Sequence, residues 1–251
     1  MKILYKALNM AISMFTVIPL PKYEWDENAS KYIMRFYPLI GALIGCIWYL
    51  SYFILHKLNI STILMASLLI GVPCFTTGFL HLDGFMDVSD AVLSRRDRET
   101  KLKILKDSRV GAFSAISLVL LLIIEFSGME TLLKKEINML ILILIPIVSR
   151  CISGYLIISK EMIGESSLGK FFKKGTGKKD AVFLILVYSF IFLVAYFALG
   201  FKYGLVILIM GLIGMILYKK MKKELGGING DVAGYILTLV EFTGIILLAI
   251  L

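Results

Sequence analysis

Charged residues are scarce in this sequence. Lys, Arg, Asp and Glu make up 18% of its 251 residues, whereas hydrophobic residues make up 59%. Soluble globular domains carry about 25% charged and about 45–50% apolar residues, so this composition excludes most soluble classes. It also excludes intrinsic disorder, which requires low hydrophobicity and a high net charge. The class that remains is a membrane protein with several spanning helices.

Cysteine and histidine are also rare, with three cysteines and two histidines in the chain. Cys46, Cys74 and Cys151 lie in apolar runs without a Cys-x-x-Cys motif, which indicates small buried side chains and argues against a zinc site or disulfide framework. The only histidines, His56 and His81, are too few for a histidine-based metal site. Any general base is therefore expected to be an aspartate.

Long apolar runs divide the chain into candidate membrane spans of about 20 residues each. The seven predicted spans are residues 36–55, 60–80, 110–126, 137–158, 181–200, 203–218 and 232–251. They leave no room for a separate soluble domain. The sequence therefore predicts one all-α domain, residues 1–251, built as an integral membrane helix bundle of about seven transmembrane helices.

The N-terminal segment has a different pattern, in which polar residues recur at helical spacing opposite apolar ones. The polar positions are Lys2, Lys6, Asn9, Ser13 and Thr16. This pattern predicts an amphipathic interfacial helix, which Pro19 and Pro21 bring to an end.

Basic residues alternate between the two sides of the predicted bundle. Segments 21–35, 83–109, 159–180 and 219–231 hold 20 of the 27 Lys and Arg residues, whereas the intervening loops hold four. The positive-inside rule predicts that these basic segments face the cytoplasm. The net charge of +9 is explained by this bias and by attraction to an anionic membrane surface. No nucleic-acid partner is therefore expected.

Three aspartates, Asp83, Asp87 and Asp90, follow the second predicted span at spacing i, i+4 and i+7. On a helix they lie within about 60° of one another, where like charges repel. Mg²⁺ takes hard oxygen ligands from carboxylates, water and phosphate, and a bound cation would offset this repulsion. The pattern predicts a Mg²⁺ site; the alternative is a solvated helix end paired with nearby arginines.

Two further segments bring polar groups to the same face. Ser108 is predicted to cap the following helix and Arg109 to contact a phosphate there, with a basic membrane anchor as the alternative. The glycine-rich turn 226–231 predicts close approach of backbone N–H groups to phosphate. Asp231 at its end is a candidate metal ligand or general base, and an ordinary turn between helices is the alternative.

Two opposite charges lie inside predicted spans. Arg150 and Glu241 are each about eight to ten residues from the predicted cytoplasmic end, or roughly 12–15 Å deep at ~1.5 Å per residue. Ionisable groups at that depth are usually functional or paired. We expect the two side chains to form an ion pair between helices.

Together these motifs resemble the adenosylcobinamide-GDP ribazoletransferase (cobalamin synthase) family. The matching stretches are residues 15–21, 35–41, 78–90, 96–99, 106–113 and 226–234. They occur in the family's order and cover nearly the whole chain. Asn229 stands where the family more often has Thr, Tyr235 stands where it has Ala, and the loop around residues 168–169 diverges.

The resemblance implies a late step of cobalamin synthesis at the cytoplasmic face of the cell membrane. Such an enzyme joins adenosylcobinamide-GDP to α-ribazole, or to α-ribazole 5′-phosphate, releases GMP and requires Mg²⁺. The residues implied are Asp83, Asp87 and Asp90 for the metal; Asp231, Arg109 and Arg150 for catalysis; and His81, Asp107, Ser108, Gly226, Gly227, Gly230 and Glu241 for substrate binding. His81 is expected to hydrogen-bond the aspartates, and the basic loop 170–179 to hold phosphates or to lie solvated at the lipid surface. A homo-oligomer is compatible with the sequence, which does not decide the oligomeric state.

Two other classes share part of the pattern. A CDP-alcohol phosphotransferase also places aspartates at a cytoplasmic membrane face, but Asp83-Gly84 is followed by Phe-Met-Asp and departs from its Asp-Gly-x-x-Ala-Arg motif. A transporter would explain intramembrane charges, yet the sequence shows no internal repeat and concentrates its acidic residues at one surface.

Overall fold

The structure, a computed structural model, describes residues 2–20, 25–135, 137–164 and 175–251. Within these ranges the chain is helical and contains no strand, as the sequence predicts. The helices are α1 (Lys2–Phe15), α2 (Glu27–Ser30), α3 (Ile33–Lys57), α4 (Thr62–Thr76), α5 (Leu80–Leu93), α6 (Arg98–Ile104), α7 (Ala112–Lys134), α8 (Ile141–Ser159), α9 (Lys178–Val194), α10 (Phe201–Leu225) and α11 (Gly230–Ile250). A π-helical turn, Ala195–Leu199, continues α9.

Six of these helical segments are long and apolar enough to cross a membrane, and a seventh is obtained if α4 and α5 are counted together. The described residues thus confirm a membrane helix bundle of about seven spans. Helices α7 and α10 are longer than the predicted spans 110–126 and 203–218, because each continues past its apolar run into a polar end.

The second predicted span, residues 60–80, is not one straight helix. α4 ends at Thr76, and α5 begins at Leu80 after a bend of 93°. Gly78 and Phe79 both take left-handed backbone conformations, with φ of 60° and 63°, and these stop the α4 hydrogen-bond ladder. The aspartates therefore lie on a separate helix and do not directly continue the apolar span.

The core forms around α8, of which 78% is buried, compared with 17% of the span formed by α9 and its π-helical turn. α3 packs closely on α8 through Gly41, where an added Cβ atom would lie 2.4 Å from the carbonyl oxygen of Pro146. Small residues at such crossings bring helices together in membranes, where apolar burial alone gives little drive for association.

Helix α1 confirms the predicted amphipathic helix, although it ends at Phe15, before the two prolines. Its Ala7, Met10 and Ala11 are fully buried, and the helix packs against α3. Beyond its end, the Val17 N–H donates to the carbonyl oxygen of Thr76 at 3.0 Å. This hydrogen bond joins the segment that follows α1 to the end of α4, directly before the bend.

Candidate functional site

The first turns of α5 and α11 lie against each other. A Cβ atom added to Gly84 would lie 2.7 Å from the carbonyl oxygen of Asp231, and one added to Gly234 would lie 3.3 Å from that of His81. The two helices meet here without intervening side chains. This approach brings Asp83 and Asp231, far apart in sequence, to the edge of one cavity of about 170 Å³.

Asp83, Asp87 and Asp231 form what we call the carboxylate cluster. Asp87 lies within electrostatic reach of both other members and of Asp90. Asp83 is exposed, whereas Asp87 and Asp231 are half-buried. Gathering like charges in this way is unfavourable unless a proton or a cation is bound.

The donor set of the cluster suits Mg²⁺, which binds one or two carboxylates and keeps several waters. Among the described residues, no group of three or more His, Cys, Asp or Glu side chains could hold a metal ion by itself. An open site of this kind leaves positions for substrate phosphate oxygens. The residues present therefore fit a magnesium ion held partly by substrate.

Asp90 points to the next helix and does not line the cavity shared by Asp83 and Asp231. Its carboxylate accepts a hydrogen bond from Ser114 N at 3.4 Å and lies where a side chain at Gly111 would be. A carboxylate at this N-terminus is favoured by the helix dipole.

The predicted cap, Ser108, was wrong, because α7 begins only at Ala112, with Gly111 at its N-cap position.

Arg109 is highly exposed and pairs with Asp107 through its backbone N–H at 3.1 Å and its side-chain Nε at 3.0 Å. This guanidinium lowers the pKa of Asp107 to about 2. Both residues line a second cavity of about 530 Å³, together with Arg96, Ser94 and Asp90. The structure thus separates Arg109 from the cavity that Asp83 and Asp231 share.

The glycine-rich turn is fixed by contacts from two sides. Gly226 ends α10 with φ of 94°, and an added Cβ atom there would lie 1.7 Å from the Arg98 guanidinium. A Cβ atom on Gly227 would lie 2.4 Å from the carbonyl oxygen of Glu161. Ile228 donates to that same oxygen at 2.9 Å. Glycine is therefore needed here for close packing, and neither Gly226 nor Gly227 has been shown to contact phosphate.

The end of the turn positions Asp231. Asn229 caps α11 by accepting a hydrogen bond from Val232 N at 2.9 Å, while its side-chain amide donates to the Asp231 carboxylate at 2.7 Å. Gly230 is the first residue of α11 and has open space around it. One amide therefore both starts the helix and orients the carboxylate.

The predicted pair between Arg150 and Glu241 is confirmed. Arg150 Nη1 donates to the Glu241 carboxylate, and Ser149 Oγ donates to the same oxygen at 2.7 Å. The Arg150 side chain is 1% exposed. Arg150, Glu241 and His81 line a small cavity of about 40 Å³ that is separate from the carboxylate cluster.

His81 is nearly buried between the two cavities. Its Nε2 atom has no hydrogen-bond partner among the described residues. The expected bond from His81 to the aspartates is therefore not formed within the described part of the chain. Its main chain instead supports the helix contact, because its carbonyl oxygen accepts from Thr238 at 3.2 Å.

Several residues of the site have roles that the sequence patterns did not reveal. Arg98, Asn229, Phe15 and Tyr37 all lie within the family motifs, but nothing in their spacing indicated what they contact. Residues 165–174 lie outside the described part of the chain. The divergent stretch 168–169 and the first half of the basic loop 170–179 fall there.

Comparisons with known proteins identify the family of this chain. The family described as cobalamin-5-phosphate synthase matches residues 7–250. A relative named adenosylcobinamide-GDP ribazoletransferase, from Clostridium perfringens (strain ATCC 13124), is 65% identical over 251 residues, the whole of both chains. Relatives with that name from Clostridium botulinum (strain Alaska E43) and Geobacillus sp. (strain WCH70) are 47% and 30% identical, covering 98% and 93% of this chain and 97% and 91% of their own. No solved structure matches. The chain therefore belongs to the cobalamin-5-phosphate synthase family.

Proposed function

We propose that this protein is an adenosylcobinamide-GDP ribazoletransferase. It joins adenosylcobinamide-GDP to α-ribazole, or to α-ribazole 5′-phosphate, and releases GMP. The single observation that supports this best is the meeting of α5 and α11, which places Asp83 and Asp231 at the edge of one cavity, with Asp87 close enough to interact electrostatically with both. Carboxylates at such a position suit phosphoryl transfer, where positioning and charge neutralisation supply most of the catalysis.

The proposed step is a displacement at the phosphorus attached to cobinamide. A ribose hydroxyl of the acceptor forms the new P–O bond, and the bond from that phosphorus to the bridging oxygen breaks. GMP leaves with that oxygen, and the hydroxyl proton passes to a carboxylate. Because the family name describes a 5-phosphate product, we assign the attack to a ribose hydroxyl other than the 5′ hydroxyl.

Magnesium is part of the proposal. Asp83 and Asp87 would hold the ion, with Asp231 as the base. Bound there, Mg²⁺ supplies positive charge to the pyrophosphate and the departing phosphate. The Asn229 amide holds one Asp231 oxygen, which keeps the other oxygen available for the acceptor hydroxyl.

The remaining predicted residues take different parts in this proposal. Arg109 is exposed and can leave Asp107 for a substrate phosphate. A phosphate accepts two parallel hydrogen bonds from a guanidinium in a bidentate pair. Asp90 orders the start of α7, beside the Arg109 segment, and is left out of the metal site. Arg150 and Glu241 support the bundle from inside and are not proposed to touch substrate.

We also propose a location at the cytoplasmic membrane, with the site facing the cytoplasm. The segments that carry the cluster and the glycine-rich turn are those rich in Lys and Arg. Both the nucleotide substrate and GMP are then on the side where nucleotides are made and used.

The test is direct. Proteoliposomes containing the protein are mixed with adenosylcobinamide-GDP, α-ribazole and Mg²⁺, and cobamide product and GMP are measured. We expect equimolar products, a loss of at least a hundredfold in Asp231→Asn, and a higher Mg²⁺ requirement in Asp87→Asn. Glu99→Gln, an exposed acidic residue on α6, is the matched control and should be unaffected. Absence of product from the wild-type protein would refute the proposal.

A further inference from the structure

The cavity at the carboxylate cluster has an apolar wall opposite its acidic edge. That wall is formed by Met14 and Phe15 of α1, Tyr37 of α3, and Ile157 and Met162 near the end of α8. The rings of Phe15 and Tyr37 pack with centroids 4.5 Å apart and tilted by 39°. The catalytic chemistry proposed above makes no use of this wall.

We propose that this wall binds the aromatic base of the nucleoside acceptor, so that α1 forms part of the acceptor site. The inference rests on the proposed function and names where one of its two substrates binds. It gives the N-terminal helix a role in substrate recognition beyond its contact with the membrane interface.

Size supports this assignment. The cavity measures about 170 Å³. An apolar cavity of roughly 150 Å³ is sufficient to admit one benzene ring. A flat base therefore fits against Phe15 and Tyr37, whereas a corrinoid ring system is far too large. Aromatic side chains favour flat rings, which they contact by offset stacking or edge-to-face packing.

Charge supports it as well. Among the described residues that line this cavity, the charged ones are Asp83 and Asp231, both carboxylates. With the proposed Mg²⁺ bound, Asp83 would face the pyrophosphate through the ion, whereas Asp231 can accept a hydroxyl proton. The apolar side of the cavity carries no charged side chain among the described residues, so it matches an uncharged base whose ribose is directed at Asp231. The described arginines Arg96 and Arg109 line the second, larger cavity, where the outer phosphate of the donor, on the GMP side, can be accommodated.

The position of α1 is fixed well enough for such a role. Met10, one turn before Met14, is fully buried in the core. After the helix, the Val17 backbone bonds to Thr76, and the Val17 side chain fills the space beside Gly78. The wall is thereby held against the bend that carries α5 and its aspartates.

The experiment compares Met14→Ala and Phe15→Ala with Met10→Ala, all in the full-length protein in proteoliposomes. We expect both cavity variants to raise the KM for α-ribazole about tenfold, which corresponds to one lost side-chain contact with the base. The KM for adenosylcobinamide-GDP should change less than twofold. Met10→Ala removes a more deeply buried side chain from the same helix, so general loosening of α1 would affect it at least as much.

A second measurement does not depend on turnover. Equilibrium dialysis with radiolabelled α-ribazole and no donor should show binding to the wild type and to Met10→Ala, and about tenfold weaker binding to Met14→Ala and Phe15→Ala. Unchanged binding and unchanged acceptor KM in both cavity variants would overturn the inference while leaving the proposed function intact. A wild type that makes no GMP would refute the proposed function, and the dialysis would still decide whether this wall binds the base.

Discussion

The Nε atom of Arg98 donates a hydrogen bond to the carbonyl oxygen of Leu225 at 3.2 Å, across 127 residues of sequence. The guanidinium also occupies the space where Gly226 lacks a side chain. Nearby, Lys101 pairs with Glu224. α6 therefore binds the end of α10 and the start of the turn that leads to Asp231, so that a residue outside both cavities helps to position a proposed catalytic carboxylate.

Replacing Arg98 should therefore impair catalysis more than binding. We expect Arg98→Ala to lower kcat about tenfold to a hundredfold, since a misplaced reacting group costs rate even when it is moved only about 1 Å. Both KM values should change little. Steady-state kinetics will test this, with Lys103→Ala, an exposed residue of the same helix, as control.

Chemical rescue distinguishes this positioning role from simple unfolding. Added guanidinium ion at millimolar concentration should restore part of the kcat of Arg98→Ala by filling the vacated space beside Gly226. Arg98→Lys should retain less activity than the rescued variant, because an ammonium cannot cover the same planar surface. A failure of rescue together with a lowered melting temperature would argue for a purely structural role.

The close contact at Gly84 gives a second prediction. Gly84→Ala should separate α5 from α11, because the new methyl group would lie 2.7 Å from the Asp231 carbonyl oxygen. Overpacking of this kind costs about 1–3 kcal/mol, and the cluster geometry should be lost with it. Thermal unfolding and Mg²⁺ titration of the activity will test this, and Gly177→Ala, which meets open space, is the control. Normal Mg²⁺ dependence in Gly84→Ala would contradict the proposed cluster.

The buried pair provides a third prediction. Glu241→Gln or Arg150→Gln alone should destabilise the bundle by about 3–5 kcal/mol, because each leaves its partner's charge buried without compensation. The double variant should lose much less than the sum of the two. Glu130 forms an ion pair with Lys134, one turn later on the same helix and more exposed. Glu130→Gln breaks that pair and should lower the free energy of unfolding by less than about 1 kcal/mol. Strict additivity of the Arg150 and Glu241 effects would rule out a direct pair.

Asp107 supplies a prediction about pH. Its pKa is lowered from the ordinary 3.8 to about 2 by Arg109, so the pair's contribution is present above pH 3.8 and is lost as the pH falls through about 2. Asp107 is therefore ionised throughout the working range. The profile of kcat/KM against pH between 5 and 9 should have the same shape in Asp107→Asn as in the wild type, whatever its height. A shifted acidic limb in this variant would show that Asp107 titrates during catalysis.

Hydropathy and the placement of charges predicted most of the helices, because both can be read from whole segments of the sequence without knowing how the helices pack. The spans, the amphipathic α1 and the pair between Arg150 and Glu241 follow from how apolar or deeply placed each residue is. The bend at Gly78 and Phe79 was missed, because hydropathy does not encode the direction of a helix and the residues on both sides of the bend are apolar.

The site was predictable by residue type but only partly by arrangement. Helical spacing grouped Asp83, Asp87 and Asp90, yet the structure turns Asp90 to the start of α7 and brings Asp231 to the other two from 144 residues or more away in sequence. Neither contact leaves a signal in local spacing. Such contacts depend on which helices cross, and here the crossing is set by glycines at Gly84 and Gly234.

The bend between α4 and α5 has a consequence for the lipid around the protein. The 15 residues of α4 extend about 22 Å at 1.5 Å per residue, which is less than the roughly 30 Å hydrocarbon thickness of a bilayer. A helix that turns by 93° at that depth continues along the membrane plane, so the aspartates are held at a level set by the length of α4. Bilayer thickness then governs how far water and nucleotide must descend to reach them. We therefore expect the reaction rate to change with the acyl-chain length of the surrounding lipid.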